Sequence, residues 1–368
     1  MSVYWNDRVR GLEPYVPGEQ PRDRRYIKLN TNENPYPPSP ATLEAIRAAA
    51  SGDLRLYSDP VALDLRRAIG KRYGVGEEMV FVGNGSDEIL AFAFGAFFGP
   101  GEGRAADGRG AAAPVLFPDI SYSFYPVYAQ LWGLGYRQVP LADGFELKAD
   151  DYLVPSGGVV FPNPNAPTGR AIPLSEVLRV VDFQAESNRV VLVDEAYVDF
   201  GAESAVGATA SRPNLLTVHT LSKSRSLAGL RVGFAIGQAE LIEGLRRVKD
   251  SFNSYTLDRC ALAGAAAAMA DSAYYDEVNA RVAATRDRTA AALAALGFAM
   301  PPSRANFLFV RHPRLAGAVL FKALRERGIL VRHWNKGRIA DHLRVSIGTD
   351  AEMDAFLAAC AAILEETP

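Results

Sequence analysis

Between Met79 and Arg231 the chain repeats one unit: a short apolar run, a polar turn at its C-terminal end, then a segment of helical periodicity. MVFVGNGSDEILAFAFGAFF reads as strand, glycine turn and apolar helix, and VLFPDISYSFYPVYAQL as a short strand and a helix. GGVVFPNPNAPTG ends an apolar strand in an Asn/Pro/Gly turn, and LSEVLRVVDF follows with Leu174, Val177, Val180 and Val181 on one helical face. Alternation of this kind implies an α/β fold, a mainly parallel sheet covered by helices on both faces. Ligands of such sheets bind outside the C-terminal ends of the strands. Every polar turn singled out lies at such an end, so one shared site along that rim is expected.

The densest part of the rim runs from Val190 to Arg231. VVLVDEAYVDF delivers Asp194 and Tyr197 after one apolar run, and LLTVHTLSKSRSLAGLR delivers Ser222 and Lys223 after the next, with Arg231 beyond. A lysine at a strand end forms an imine with an aldehyde if desolvation or neighbouring positive charge frees its amine, and Arg225 and Arg231 are close in sequence. Asp194 follows four apolar residues and is expensive to bury without a partner. Against a pyridine nitrogen it would keep that nitrogen protonated and the ring electron-withdrawing. Tyr197 could donate to a ring phenolate oxygen. Arg231, Ser222 and the helix-start amides at Ser86 and Asp87 could hold a phosphate. Alone, the Ser-Lys pair reads as a surface lysine, Asp194-Glu195 as an acidic turn, and the Gly83–Gly85 turn as an ordinary strand–helix joint. Their conjunction argues for pyridoxal phosphate.

The remaining stretches bound the answer. Ser39 and Pro40 suit a helix start before ATLEAIRAAA, and another helix is expected from about Val61 to Arg72. KLNTNENPYPPSP looks like an extended arm rather than a core element. GPGEGRAADGRGAAAP has the composition of a surface loop. AELIEGLRRVKDSF is one amphipathic helix, Leu257 to Leu296 reads as long helices, and from Pro301 onward FLFV, ILVRHW and LRVSI alternate with helices. Cys260 and Cys360 have no metal-ligand spacing, and Cys360 shares an apolar helical face with Met353, Phe356, Leu357 and Leu364. No metal is expected. Forty basic and 42 acidic side chains give a net charge of −2, which offers nucleic acid or a membrane surface no attraction. No apolar run approaches the roughly 20 residues of a membrane span, and MSVYWNDRVRGLEPY lacks a signal-peptide core, so a cytoplasmic enzyme is the expectation.

FVGNGSDE, FPNPNAPTG, VVLVDEAYVDF and TLSKSRSLAGLRVGFAIG resemble the ordered motifs of fold-type-I pyridoxal-phosphate aminotransferases. LNTNENPYPPSP, LYSDP, VLFPDISYSFYPVY, ILVRHW and HLRVSIG resemble the histidinol-phosphate aminotransferase family, from about residue 10 to the C-terminus. The resemblance implies a large cofactor-binding domain at 51–255 with a seven-stranded, mainly parallel sheet. It also implies a small α/β domain at 256–368 and an N-terminal arm at 1–50 that belongs partly with it. Lys223 would bind the cofactor's aldehyde and shuttle a proton, Asp194 would meet the ring nitrogen, and Tyr197 the phenolate oxygen. Tyr122 would stack on the ring. Ser86, Asp87, Ser222 and Arg231 lie in the phosphate motifs. Tyr57 would reach the cofactor phosphate of a neighbouring subunit, implying a homodimer, and Arg332, Arg344 and Asn306 would bind substrate.

One position departs from the family pattern. Asn commonly precedes PTG and contacts the phenolate oxygen, whereas this chain has Asn165-Ala166-Pro167. Asn165 is the expected substitute. The activity implied is amino transfer between L-histidinol phosphate and 2-oxoglutarate, giving imidazole acetol phosphate and glutamate, a step of histidine biosynthesis. Aromatic amino-acid aminotransferases and threonine-phosphate decarboxylases share the motif set. An aminotransferase-like sensor would need a basic helix-turn-helix segment, and the arm before Asn30 is too short and irregular for one.

Overall fold

The computed structural model describes residues 3–15, 18–98 and 113–366. The segment 99–112, nearly all of the stretch read above as a surface loop, lies outside the described residues. A seven-stranded sheet dominates. Across it the strands run Val80–Asn84, Val232–Ile236, Leu215–Thr220, Val191–Asp194, Val159–Pro162, Val115–Pro118 and Tyr136–Val139. Only Val232–Ile236 runs antiparallel to its neighbours, so the sheet is mixed but mainly parallel.

Alternation along the strands divides the core into layers. Val160, Leu192, Leu216 and Val218 pack with Phe92, Phe94, Tyr125 and Leu245 from the helices Gly85–Phe97, Phe124–Trp132 and Ala239–Phe252. The residues between them, Val159, Val191, Val193 and Leu215, face the other way onto Val177, Val180 and Val181 of the helix Leu174–Ala185. Both faces of the central strands are therefore dry, which is why those runs are continuously apolar. The edge strand Tyr136–Val139 buries only Val139, and its weak apolar signal explains why the sequence gives no hint of it.

Ser39 caps the helix Pro40–Ala49 by accepting from Thr42 N–H, with Pro40 at the start as expected. The helix expected from Val61 begins at Leu63. A second unit contains an antiparallel sheet ordered Arg332–His333, Leu343–Ser346, Phe307–Val310. Leu320 and Leu324 of the helix Gly317–Glu326 and Met353, Phe356 and Cys360 of the helix Asp350–Glu366 share the core with it.

Three sequence expectations change. ILVRHW is not one strand: Ile329–Leu330 pairs in parallel with Ile27–Lys28, while Arg332–His333 joins the antiparallel sheet. The arm therefore does supply a short strand, and Leu29 enters the smaller unit's core. The helix Arg259–Ala270, expected with the small domain from residue 256, packs instead on the large sheet. Ala261, Ala265 and Met269 meet Val80, Val232 and Phe234 there. The helix Ser272–Ala295 ties the two units together: buried Arg286 donates through Nη1 to the Phe200 carbonyl (2.8 Å) and the Ala305 carbonyl (3.1 Å). Among the described residues no helix is long and apolar enough to cross a membrane.

Candidate active site

The C-terminal ends of adjacent strands bring the expected groups to one rim. Val191–Asp194 ends in the buried carboxylate of Asp194, and Leu215–Thr220 leads directly into the short helix Leu221–Ser224 carrying Ser222 and Lys223. Asp194 Oδ2 accepts from the Tyr125 hydroxyl at 2.9 Å, and Oδ1 accepts from Ala196 N–H at 3.1 Å. Burial, reinforced by the like charge of Asp87, pushes this carboxyl up to about 6. An acid buried at a strand end without a countercharge is what a cationic ring nitrogen would satisfy.

Lys223 Nζ donates to the Thr31 carbonyl at 3.0 Å. Burial brings its amine down to about 8, helped by the positive charges of Arg344 and Arg231 and opposed by Glu33 and Asp87. Arg225, close in sequence, does not share this work. Its buried side chain turns away, over the Tyr275 ring, with Asp199 3.7 Å from Nη1. Arg344, more than a hundred residues away, acts in its place because folding sets the smaller unit's sheet against the lysine.

A chain of polar contacts runs Tyr122–Asp87–Arg231–Ser222. The Tyr122 hydroxyl donates to Asp87 Oδ1 at 2.5 Å, Arg231 Nη2 donates to Asp87 Oδ2 at 3.1 Å, and Arg231 Nη1 donates to Ser222 Oγ at 3.3 Å. Ser86 and Asp87 stand in the first turn of the helix Gly85–Phe97, where backbone N–H groups point outward. Gly85 has φ +76°, and a Cβ on it would lie 2.6 Å from Arg231 Nη2, so a side chain at that position would have to push the Arg231 guanidinium aside.

On the facing side, Arg332 and Arg344 are cross-strand partners. Each guanidinium sits 5.4 Å from the centroid of the Trp334 ring. Arg344 Nη2 donates to the Asn30 carbonyl at 2.9 Å, and its Nε is buried without a partner. Like charges opposed across two strands repel, and an anion between them reverses the sign of that interaction. Tyr197 OH accepts from Asn32 Nδ2 at 3.0 Å, and its ring meets Phe307 edge-on at 5.0 Å. Asn306 donates through Nδ2 to the Asn32 carbonyl at 3.0 Å, while its Oδ1 is buried and unpaired.

A family model described as "Aminotransferase class I and II" matches residues 24–360. The chain belongs to the class I and II aminotransferases. It is 56% identical to histidinol-phosphate aminotransferase 1 of Bordetella parapertussis, over 98% of each protein, and 52% identical to the histidinol-phosphate aminotransferase of Clostridium acetobutylicum, over 97% of this chain and 98% of that one. Among solved structures it resembles histidinol-phosphate aminotransferase from Sinorhizobium meliloti in complex with pyridoxal-5'-phosphate, with TM-score 0.85, 26% identity and coverage of 100% of this chain and 99% of that one.

For an aminotransferase of this class, the residues at the rim fit pyridoxal phosphate: a lysine with a lowered pKa, a buried acid without a countercharge, and a guanidinium beside a helix start. One expected residue stands differently. Asn165 commits both amide hydrogens, to the Ile120 carbonyl and to Thr168 Oγ1, each at 3.0 Å, so it has no donor left for a ring oxygen. Ala166 packs with Ala305, Phe307 and Tyr197. Tyr57 lies outside this chain's own rim, 78% exposed and stacked on Tyr255 at 4.5 Å.

Residues absent from the sequence reading also belong to the site. Asn32, at φ +57°, orients Tyr197 and Asn306 and is itself held by Ser346. Glu33 acts on Lys223 while bound by Lys28. Tyr15 stacks on Phe124 at 4.3 Å and acts electrostatically on Arg344 and Tyr197. One Asn among three in the proline-rich stretch KLNTNENPYPPSP carries no signal of these roles.

Proposed function

We propose that this chain transfers an amino group between L-histidinol phosphate and 2-oxoglutarate, giving imidazole acetol phosphate and glutamate in histidine biosynthesis, with pyridoxal 5'-phosphate as cofactor. The observation that carries the reading is the pair Arg332 and Arg344 opposed across two strands, with Arg344 close enough to Lys223 to lower its pKa. Planar guanidinium forks accept carboxylate and phosphate alike, so one anion site can serve both amino donors. The near-full-length likeness to histidinol-phosphate aminotransferases supports the choice of substrate.

The cofactor supplies an aldehyde and an electron-withdrawing ring. In this reading Arg231, Ser222 and the amides at Ser86 and Asp87 bind its phosphate. Asp194 holds the proton of the ring nitrogen, Tyr197 donates to the ring's oxygen, and Tyr122 covers a ring face. Lys223 Nζ, lowered to about 8, can both give up and take a proton near neutral pH. Arg332, Arg344 and Asn306 orient the substrate, with Trp334 and the arm residue Tyr15 alongside.

The enzyme acts as a homodimer in this reading. Tyr57, Tyr255 and Phe252 expose aromatic surface beside Leu54 and Leu56, and a second copy covering them would take Tyr57 toward its partner's phosphate site. The expected cytoplasmic location goes with water-soluble anionic substrates. The test is glutamate formation from histidinol phosphate and 2-oxoglutarate, run beside a panel of aromatic amino acids as donors.

A further inference from the structure

We propose that Tyr125 is a positioning residue for the ring-nitrogen contact: its phenol donates to Asp194 and keeps that side chain an oriented carboxylate. The proposal rests on the reading above that Asp194 meets the ring nitrogen of pyridoxal phosphate. Tyr125 is fully buried in the helix Phe124–Trp132, among Phe94 and Phe117 at centroid distances of 6.3 Å and 5.8 Å. Phenylalanine would fill that space without placing a polar atom at this depth. A buried hydroxyl needs an acceptor, and this one finds Asp194 Oδ2 at 2.9 Å. Three residues earlier, Tyr122 donates to Asp87. The first turn of this helix and the residue two before it thus hold Asp194 and Asp87, each through a separate phenol.

The surroundings make that donor matter. Among the described residues, the titratable groups that act on Asp194 or feel it include Asp87, Tyr122, Tyr125, Tyr128, Glu195 and Tyr197, and none of these is a cation. Burial raises the proton affinity of Asp194, and among the described residues two donors oppose it, the Tyr125 hydroxyl first, then Ala196 N–H. Tyr125 cannot lose its proton in the working range, because burial and the neighbouring carboxylate hold its phenol far above the ordinary tyrosine range. When a carboxylate and a ring nitrogen share a proton, a donor on the carboxylate's other oxygen leaves the proton on nitrogen. Tyr125 is thereby tied to the electron-withdrawing power of the ring without touching it.

The test compares cofactor-free full-length protein in three forms: wild type, Tyr125→Phe, and protein carrying 3-fluorotyrosine at 125. Pyridoxal phosphate affinity is measured by equilibrium dialysis across pH 5 to 9. In wild type the affinity falls as pH drops through about 6, where Asp194 takes up its proton. In Tyr125→Phe the midpoint of that fall moves up by about one pH unit, while affinity at the alkaline end changes by less than about twofold. The more acidic fluorophenol keeps the packing and moves the midpoint down. Coincident midpoints in all three proteins, with Tyr125→Phe merely melting earlier, would overturn the proposal and make the hydroxyl a core contact. Wild type that binds the cofactor with no pH dependence would also overturn it, leaving the cofactor assignment intact. Wild type that does not bind the cofactor at all would defeat that assignment and the proposal with it.

Discussion

At the scale of single residues the site is governed by burial acting on charge. Lys223 and Asp194 are pushed in opposite directions by the same desolvation, the amine down to about 8 and the carboxyl up to about 6, and both become responsive near neutral pH. For the lysine the sign is direct. Its neutral fraction grows about tenfold per pH unit below 8 and saturates above, so capture of pyridoxal phosphate by cofactor-free protein should accelerate with pH and level off past about 8. Stopped-flow absorbance would follow this, and Lys223→Ala should lack the visible band altogether; an unchanged band in that variant contradicts the lysine's role. The sequence made this amine findable, because a Ser-Lys pair ends an apolar run one strand over from Asp194. It could not reveal which charges act on the amine. Arg225 is two residues away and turned to Asp199, whereas Arg344 lies on a different sheet and faces the lysine. Proximity in sequence is a poor guide to proximity in space once a strand ends.

At the scale of elements, the strand–turn–helix unit shapes the proposed phosphate cradle through backbone geometry more than through side chains. Gly85 combines a left-handed φ of +76° with a Cβ position 2.6 Å from Arg231 Nη2, and Gly233 leaves only 2.5 Å between its Cβ position and Ser86 N. Gly85→Ala should cost about 1–2 kcal/mol of stability from the left-handed backbone alone. By displacing Arg231 it should also weaken pyridoxal phosphate binding roughly tenfold or more. Thermal melting and equilibrium dialysis separate the two effects; full affinity in a destabilised variant would remove Arg231 from the phosphate site. Elements with a strong local signal were legible: Ser39 with Pro40 at a helix start, and strands buried on both faces. Those defined by distant pairing were not. Ile27–Lys28 is two residues long and exists because Ile329–Leu330 lies beside it, and ILVRHW splits because each half finds a different partner. The helix Arg259–Ala270 shows the same limit, since its alanine-rich face does not say which core it will join.

At the scale of the whole molecule, one chain holds Lys223, Asp194 and the paired arginines, while its Tyr57 is exposed and stacked on Tyr255, and Phe252 is exposed three residues before Tyr255. A stable homodimer buries on the order of 1,200 Å² or more, and these aromatics would sit in its interior. Phe252→Glu, which sets a charge among them, should shift the protein toward monomer in sedimentation velocity and lower its cofactor affinity as the neighbour's Tyr57 withdraws. A dimer that persists unchanged would place the interface elsewhere. In the proposed function the substrate is selected across the two units, by the N-terminal arm, Arg332 and Arg344. In that function their convergence serves amino transfer from a phosphorylated amino alcohol. The most direct test incubates the holoenzyme with histidinol phosphate and 2-oxoglutarate and follows glutamate. Glutamate should form in step with imidazole acetol phosphate; no glutamate, with carbon dioxide released from a phosphorylated threonine instead, would contradict the account.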